Sequence, residues 1–130
     1  MKVFLSMIIV VIFSVGCKKS DSALPNITGK WELRKSSGGF ANIDLNFTEG
    51  NGNAYQFNSD RTYRHFLKDT IDARGTYTIK PNQSTIFGTA ANIVYFDNDQ
   101  AGLVVELKND SLALGNNYAD GITNIYVRIQ

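Results

Sequence analysis

The chain of 130 residues holds one cysteine, one histidine, one tryptophan and two prolines. A lone cysteine excludes a disulfide framework, and with a lone histidine it also excludes a Cys/His zinc cluster. Thirteen Lys and Arg oppose twelve Asp and Glu, so no field of one sign recruits a partner. The basic residues are scattered and do not interleave with stacking aromatics, so nucleic acid is not an expected partner. No Gly-x-Ser-x-Gly is present. Gly50-Asn51-Gly52 neither follows a strand nor opens a helix, so it is no phosphate loop. Asp97-Asn98-Asp99-Gln100-Ala101-Gly102 begins like a calcium loop, but Ala101 and Lys108 occupy two ligand positions that need oxygen donors, and the segment reads as a solvated turn. His65 is the sole imidazole and reads as a core or cavity-lining residue. No catalytic residue, metal or cofactor is therefore expected, and the chain is not read as an enzyme.

The N-terminus carries a strong pattern. Met1-Lys2 supplies a positive start, and Val3 to Val15 is apolar apart from Ser6 and Ser14. This run is shorter than the roughly 20 residues a helix needs to cross a bilayer; it has the length of the apolar region of a secretory signal peptide. It ends Ser14-Val15-Gly16-Cys17, and polar residues follow at once. Small residues before a single cysteine resemble the lipobox of bacterial lipoproteins; the plain alternative is a free thiol beside a signal peptide cut elsewhere. The resemblance implies cleavage before Cys17 and lipidation of its thiol and new amino group, palmitate included. With Lys18 next, it also implies an outer-membrane lipoprotein, on the periplasmic face or at the cell surface. Each buried CH₂ contributes about 0.8 kcal/mol, so several acyl chains make dissociation negligible. Residues 1–16 are thus read as signal peptide, 17–26 as a polar lipidated tether, and 27–130 as one domain.

Within that domain helical periodicity is nearly absent and short alternating runs recur between Asn, Asp and Gly. The expected strands are Lys30–Lys35, Asn53–Asn58, Thr62–Leu67, Gly75–Ile79, Thr85–Phe87, Ile93–Phe96, Leu103–Leu107, Ser111–Leu114 and Asn124–Ile129. Ile43–Phe47 alternates too, but glycine pairs flank it, and it reads as a loop segment or edge piece. Close spacing without helical crossovers argues for an all-β, antiparallel up-and-down barrel of eight to nine strands, because closure removes exposed edges. Alternation places Trp31, Leu33, Tyr55, Phe57, Tyr63, His65, Leu67, Tyr77, Ile79, Leu103, Val105, Leu107, Leu112, Leu114, Ile125, Val127 and Ile129 inward. It places Glu32, Arg34, Gln56, Arg64, Thr76, Thr78, Glu106 and Arg128 outward, with Phe66, Val104 and Tyr126 as apolar residues on the polar side.

Gly29-Lys30-Trp31 opens the first strand in the Gly-x-Trp pattern of lipocalins, and Arg128 lies in the last strand. Tyr55 to Tyr63, Gly75 to Ile79 and Asp120 to Ile129 keep the order and spacing seen in small bacterial lipocalin-like lipoproteins, which residues 27–130 resemble. The resemblance implies structural roles for Gly29, Trp31 and Arg128, with the arginine packed over the indole, a contact worth about 0.5–2 kcal/mol. Arg61 stands where that family has Gly in a Ser-Asp-Gly-Thr turn. Ser36–Gly52, with Phe40, Ile43, Leu45 and Phe47, corresponds to the loop that folds over the open barrel end, and reads either as a lid or as a structural flap.

Two functional classes follow. In the first, a monomeric, lipid-anchored barrel binds a small apolar or amphipathic ligand through Tyr55, Phe57, Tyr63, His65, Tyr77, Leu103, Val105 and Leu107. In the second, the barrel is filled by its own side chains and serves as an envelope interaction or inhibitor module.

Overall fold

The structure, a computed structural model, describes residues 23–130. The expected signal peptide and Cys17 lie outside the described residues. Nine strands are formed: β1 (Gly29–Gly38), β2 (Ile43–Asn46), β3 (Ala54–Phe57), β4 (Thr62–Leu67), β5 (Thr70–Ser84), β6 (Ala90–Phe96), β7 (Leu103–Lys108), β8 (Ser111–Asn116) and β9 (Ile122–Arg128). They form one antiparallel sheet in the order β2-β1-β3-β4-β5-β6-β7-β8-β9, and β1 also pairs with β9. The molecule is an all-β, closed eight-stranded barrel with one extra strand, as expected.

The extra strand arises because β1 is longer than its neighbour. Gly29–Glu32 pairs with β3 and Lys35–Gly38 with β2, while β9 runs along the other edge of β1. Tight turns set the meander. Lys68 and Asp69 join β4 to β5 with φ of 49° and 64°, the pair of positive angles that a two-residue hairpin turn needs to match strand twist. Arg61 takes φ 68° at the β3–β4 turn, so this arginine accepts the left-handed conformation that glycine adopts without steric cost.

Several expectations are corrected. Thr85–Phe87 is the turn at the tip of the β5–β6 hairpin; of the two readings of Ile43–Phe47, the edge piece holds, because Ile43–Asn46 is a short edge strand paired with β1 alone. β5 runs on through Pro81 because Pro81 and Asn82 sit in a bulge between the Lys80↔Ile93 and Gln83↔Ala91 pairs, with Asn82 at φ 52°. A bulge frees the proline from any ladder hydrogen bond. The faces of β9 are inverted. Tyr126 pairs with Leu33 on one side and Leu112 on the other, and it points inward. Ile125 and Val127 therefore face outward, half-buried. The strand carries apolar side chains on both faces, and the register puts its largest one inside. Leu67 and Ile129, at strand ends, are exposed.

The end where the chain enters is closed. Ile27 is buried beneath Trp31, whose Nε1–H donates to the Ile27 carbonyl at 2.7 Å. Arg128 shares the inward parity of Tyr126. Its guanidinium lies 4.1 Å from the Trp31 ring centre and donates to the Thr28 carbonyl at 2.7 Å. A long side chain can bury its stem and ring-facing plane while its head stays wet, so the outward placement expected for Arg128 is replaced by a plug.

Candidate functional site

The interior brings the expected ligand-lining residues together. Tyr55, Phe57, Tyr63, Tyr77, Leu103, Val105 and Leu107 pack into one core with Trp31, Val94, Phe96 and Tyr126. Tyr55 is its hub: ring centres lie 5.4 Å away at Phe57, 5.6 Å at Phe96 and 5.6 Å at Tyr126. Phe57 meets Tyr77 edge-on at 5.0 Å, and Tyr63 meets Phe96 edge-on at 4.7 Å. These are the offset and edge-to-face geometries that aromatic quadrupoles favour. His65 sits half-buried at the margin, its ring 4.5 Å from that of Tyr55 and its Nδ1 3.0 Å from Asp72 Oδ2.

Two of the tyrosine hydroxyls are committed to the protein. Tyr63 donates to Asp97 Oδ2 at 3.1 Å, and Tyr77 donates to the Asn58 carbonyl at 3.1 Å. Burial, reinforced by the Asp97 hydrogen bond and charge, pushes the Tyr63 phenol up to about 12. Burial, and then proximity to Tyr55, pushes Tyr126 up as well. Asp97, read from the sequence as a solvated turn residue, is a clamp: its Oδ1 accepts from the Thr76 backbone N–H at 2.9 Å while Oδ2 takes the Tyr63 hydroxyl. Gly75 makes room for this carboxylate, because a Cβ there would collide with it.

The segment Ser36–Gly52 prolongs the wall. Its first residues belong to β1 and its middle to β2, and Phe40 at the hairpin tip is 91% exposed. Leu45 is exposed too, so two of the hydrophobes expected to be covered are not. The segment's last turn wraps Glu32, the one charged residue in the buried set, at 4% exposure. Glu32 accepts from Arg34, from Gly50 N–H at 3.1 Å and from Gly52 N–H at 3.4 Å. Burial alone would raise its pKa, but the Arg34 and backbone hydrogen bonds outweigh this and hold it below the ordinary carboxylate value. Asn51 ties the same turn to the Leu33 carbonyl at 2.8 Å.

A recess of about 520 Å³ lies on the outer wall. Beyond the Pro81–Asn82 bulge the end of the β5–β6 hairpin forms one side of this recess, and β7 and β8 form the other. The hairpin's tip is held where the Ile86 N–H donates to Asn117 Oδ1 at 3.0 Å, joining the β5–β6 turn to the segment after β8. The floor is Val104, Glu106, Ala113, Gly115 and Thr123, all of outward parity, and the hairpin contributes Phe87, which is 71% exposed. Sequence reasoning missed this recess. The available signal was Pro81-Asn82 inside an otherwise alternating run. Val104 was flagged as apolar and outward, but Tyr126 is buried, and Phe66 lies under Lys30 Nζ at 4.8 Å on β4, so the three form no common patch.

Among the described residues, no group of three or more His, Cys, Asp or Glu side chains is assembled as a metal site. The fold and recess define a closed antiparallel barrel with an outer groove. No family model matches the chain, no curated protein matches it, and no solved structure matches it.

Proposed function

We propose that this protein is a lipid-anchored binding module of the bacterial cell envelope, a lipocalin-like lipoprotein whose barrel is a scaffold and whose outer wall does the binding. Cys17 carries the acyl chains, residues 18–26 are the tether, and the outer membrane is the site of attachment. The observation that supports this most is the contrast between the two faces. The interior rings around Tyr55 occupy the space a ligand would need, whereas a recess of about 520 Å³ stands open outside, within the usual range of ligand sites. An interior apolar ligand held by Tyr55, Phe57, Tyr63, His65, Tyr77, Leu103, Val105 and Leu107 requires that aromatic stack to part.

Two measurements test this reading. Labelling with radioactive palmitate should tag the wild-type chain and not Cys17→Ser; equal labelling overturns the anchor. A fluorescent fatty acid should show no saturable uptake by the barrel. Saturable uptake with NMR shifts at Tyr55 and Tyr126 overturns the filled-barrel reading.

A further inference from the structure

The outer recess holds about 520 Å³. Three other hollows, of about 280, 260 and 180 Å³, fall below the usual size of a ligand site. The floor of the recess is a short apolar strip. Val104 pairs with Gly115, and Glu106 with Ala113, across β7 and β8, so an isopropyl group, a bare backbone and a methyl group lie together. A polar margin borders the strip. Thr123 pairs with Gly115 from β9, and its Oγ1 lies where a Cβ on that glycine would meet it at 3.0 Å. Asn92 comes from β6, and Asn116 and Asn117 from the end of β8. Asn117 accepts the Ile86 N–H through Oδ1, which leaves its amide NH₂ to donate. Amide and hydroxyl side chains offer donors and acceptors together.

Phe87 completes the lining as an exposed ring. The turn that carries it is braced from both sides. The Thr85 N–H donates to the Thr89 carbonyl at 2.9 Å, and the Gly88 N–H donates to the Thr85 carbonyl at 3.0 Å. The Thr85 and Thr89 hydroxyls meet at 2.9 Å, and the bond from Ile86 to Asn117 ties the turn across 31 residues of chain. A ring presented on so constrained a turn is pre-organised, and a ligand that stacks on it meets a small ordering cost.

Charge selects the ligand class. Among the described residues, Glu106 is the one charged side chain of the lining, and it enters none of the ion pairs. Lys108 lies two residues further along the same face of β7. At about 3.3 Å per residue that separation is within a Debye length of about 8 Å. A cationic ligand therefore feels both charges and gains little, while an anionic one meets the Glu106 carboxylate. A neutral ligand remains, with groups that donate to a carboxylate and accept from amides. Hydroxyls do both. An exposed ring and an apolar strip bordered by such groups suit a pyranose, whose C–H faces are apolar and whose hydroxyls project from its edge.

We propose that the outer recess binds a neutral oligosaccharide, with Phe87 as the stacking platform and Glu106 as a hydroxyl acceptor. The inference rests on the outer-wall reading above and names its ligand class. Hydroxyl donation to the Glu106 carboxylate is charge-assisted and is the strongest single bond the site offers.

The experiment uses the full lipidated chain in polyoxyethylene-detergent micelles, which carry no sugar headgroup, with NMR shifts as the readout. Cellotetraose, maltotetraose, xylotetraose and chitotetraose in its N-acetylated form are titrated to millimolar concentration. At least one should shift the Glu106, Ala113 and Gly115 amides saturably, and tetragalacturonate and tetralysine should not. Phe87→Ala should weaken that binding about threefold to tenfold, and Glu106→Gln about tenfold. Both side chains are exposed, so neither variant opens the core. No saturable shift with any of the four sugars overturns the proposal. So does an unchanged affinity in either variant, or recess amides that respond equally to the charged probes. Those results leave the filled-barrel reading standing, because that reading fails only if Tyr55 and Tyr126 respond to an apolar ligand.

Discussion

Removing the Phe57 ring tests whether the barrel is solid. Phe57 is 1% exposed, stacked on Tyr55 at 5.4 Å and edge-on to Tyr77 at 5.0 Å. Phe→Ala in a core costs about 3–5 kcal/mol, the sum of lost transfer energy and an unrelaxed cavity. Ring pairs contribute about 0.5–1.5 kcal/mol each beyond area, so the upper half of that range, about 4 kcal/mol, is expected for Phe57→Ala. Rings on three sides, Tyr55, Tyr77 and Phe96, are carried by strands paired into the wall, and they cannot collapse far into the gap. With a total stability of about 5–15 kcal/mol, the variant remains measurable by urea unfolding. Its midpoint should fall by more than about 1 M at ordinary denaturant slopes. The new cavity is apolar and dry, so it should bind benzene, as engineered apolar cavities do, and the wild type should not. A loss below about 1.5 kcal/mol, together with benzene binding by the wild type, would show a hollow interior and refute the reasoning.

Three further outcomes follow from the same geometry. Gly75→Ala should displace the Asp97 carboxylate, cost about 1–3 kcal/mol through its unmade hydrogen bonds, and speed exchange of the Thr76 amide; an unchanged Thr76 amide would show that the clamp is dispensable. Glu32 has a lowered pKa in the fold, so the stability it contributes is fully present above its ordinary value of 4.5 and is lost as pH falls through the depressed folded value. Glu32→Gln should flatten that acid limb of the unfolding midpoint, and parallel limbs for the two proteins would count against the assignment. Arg128→Leu should cost about 1–3 kcal/mol, from the cation–π contact and the hydrogen bond to Thr28. Because Trp31 is the one tryptophan, its fluorescence reports the event directly, and an unchanged emission spectrum would place the guanidinium elsewhere.

Much of the wall was readable from alternation because most strands bury one face. Trp31 and Leu33, Tyr55 and Phe57, and Leu112 and Leu114 fall where period-two reasoning puts them. The reasoning failed on β9, where Ile125 and Val127 compete with Tyr126 and Arg128 for the inside. Alternation supplies two registers differing by one residue, and only pairing with Leu33 and Leu112 chooses between them. Glu32 was correctly placed outside the barrel, yet it is buried, because the turn at Gly50–Gly52 folds back over it across 18 to 20 residues of chain. No local pattern encodes that closure. Arg61 shows the reverse case: a residue that departs from a family's glycine still takes glycine's conformation, since the Asp60 side chain holds the Thr62 N–H at 3.0 Å and fixes the turn around it.

The recess was invisible from the sequence for a more general reason. Closure of a barrel argues that every edge is satisfied, and on that argument a run such as Ile93–Phe96 should pair along its whole length with the next strand. Here the pairing stops after two residues, beside the bulge at Pro81–Asn82 that bends β5. Filling the interior and opening the wall are then complementary. A barrel packed with aromatic rings keeps its shape when one seam is loose, since the remaining strand pairs and the plug of Ile27, Trp31 and Arg128 hold it from both directions. A hollow barrel opened at the same seam would lose its contents and its rigidity together. The solid core is therefore what allows β6 and β7 to share only two residue pairs along the wall.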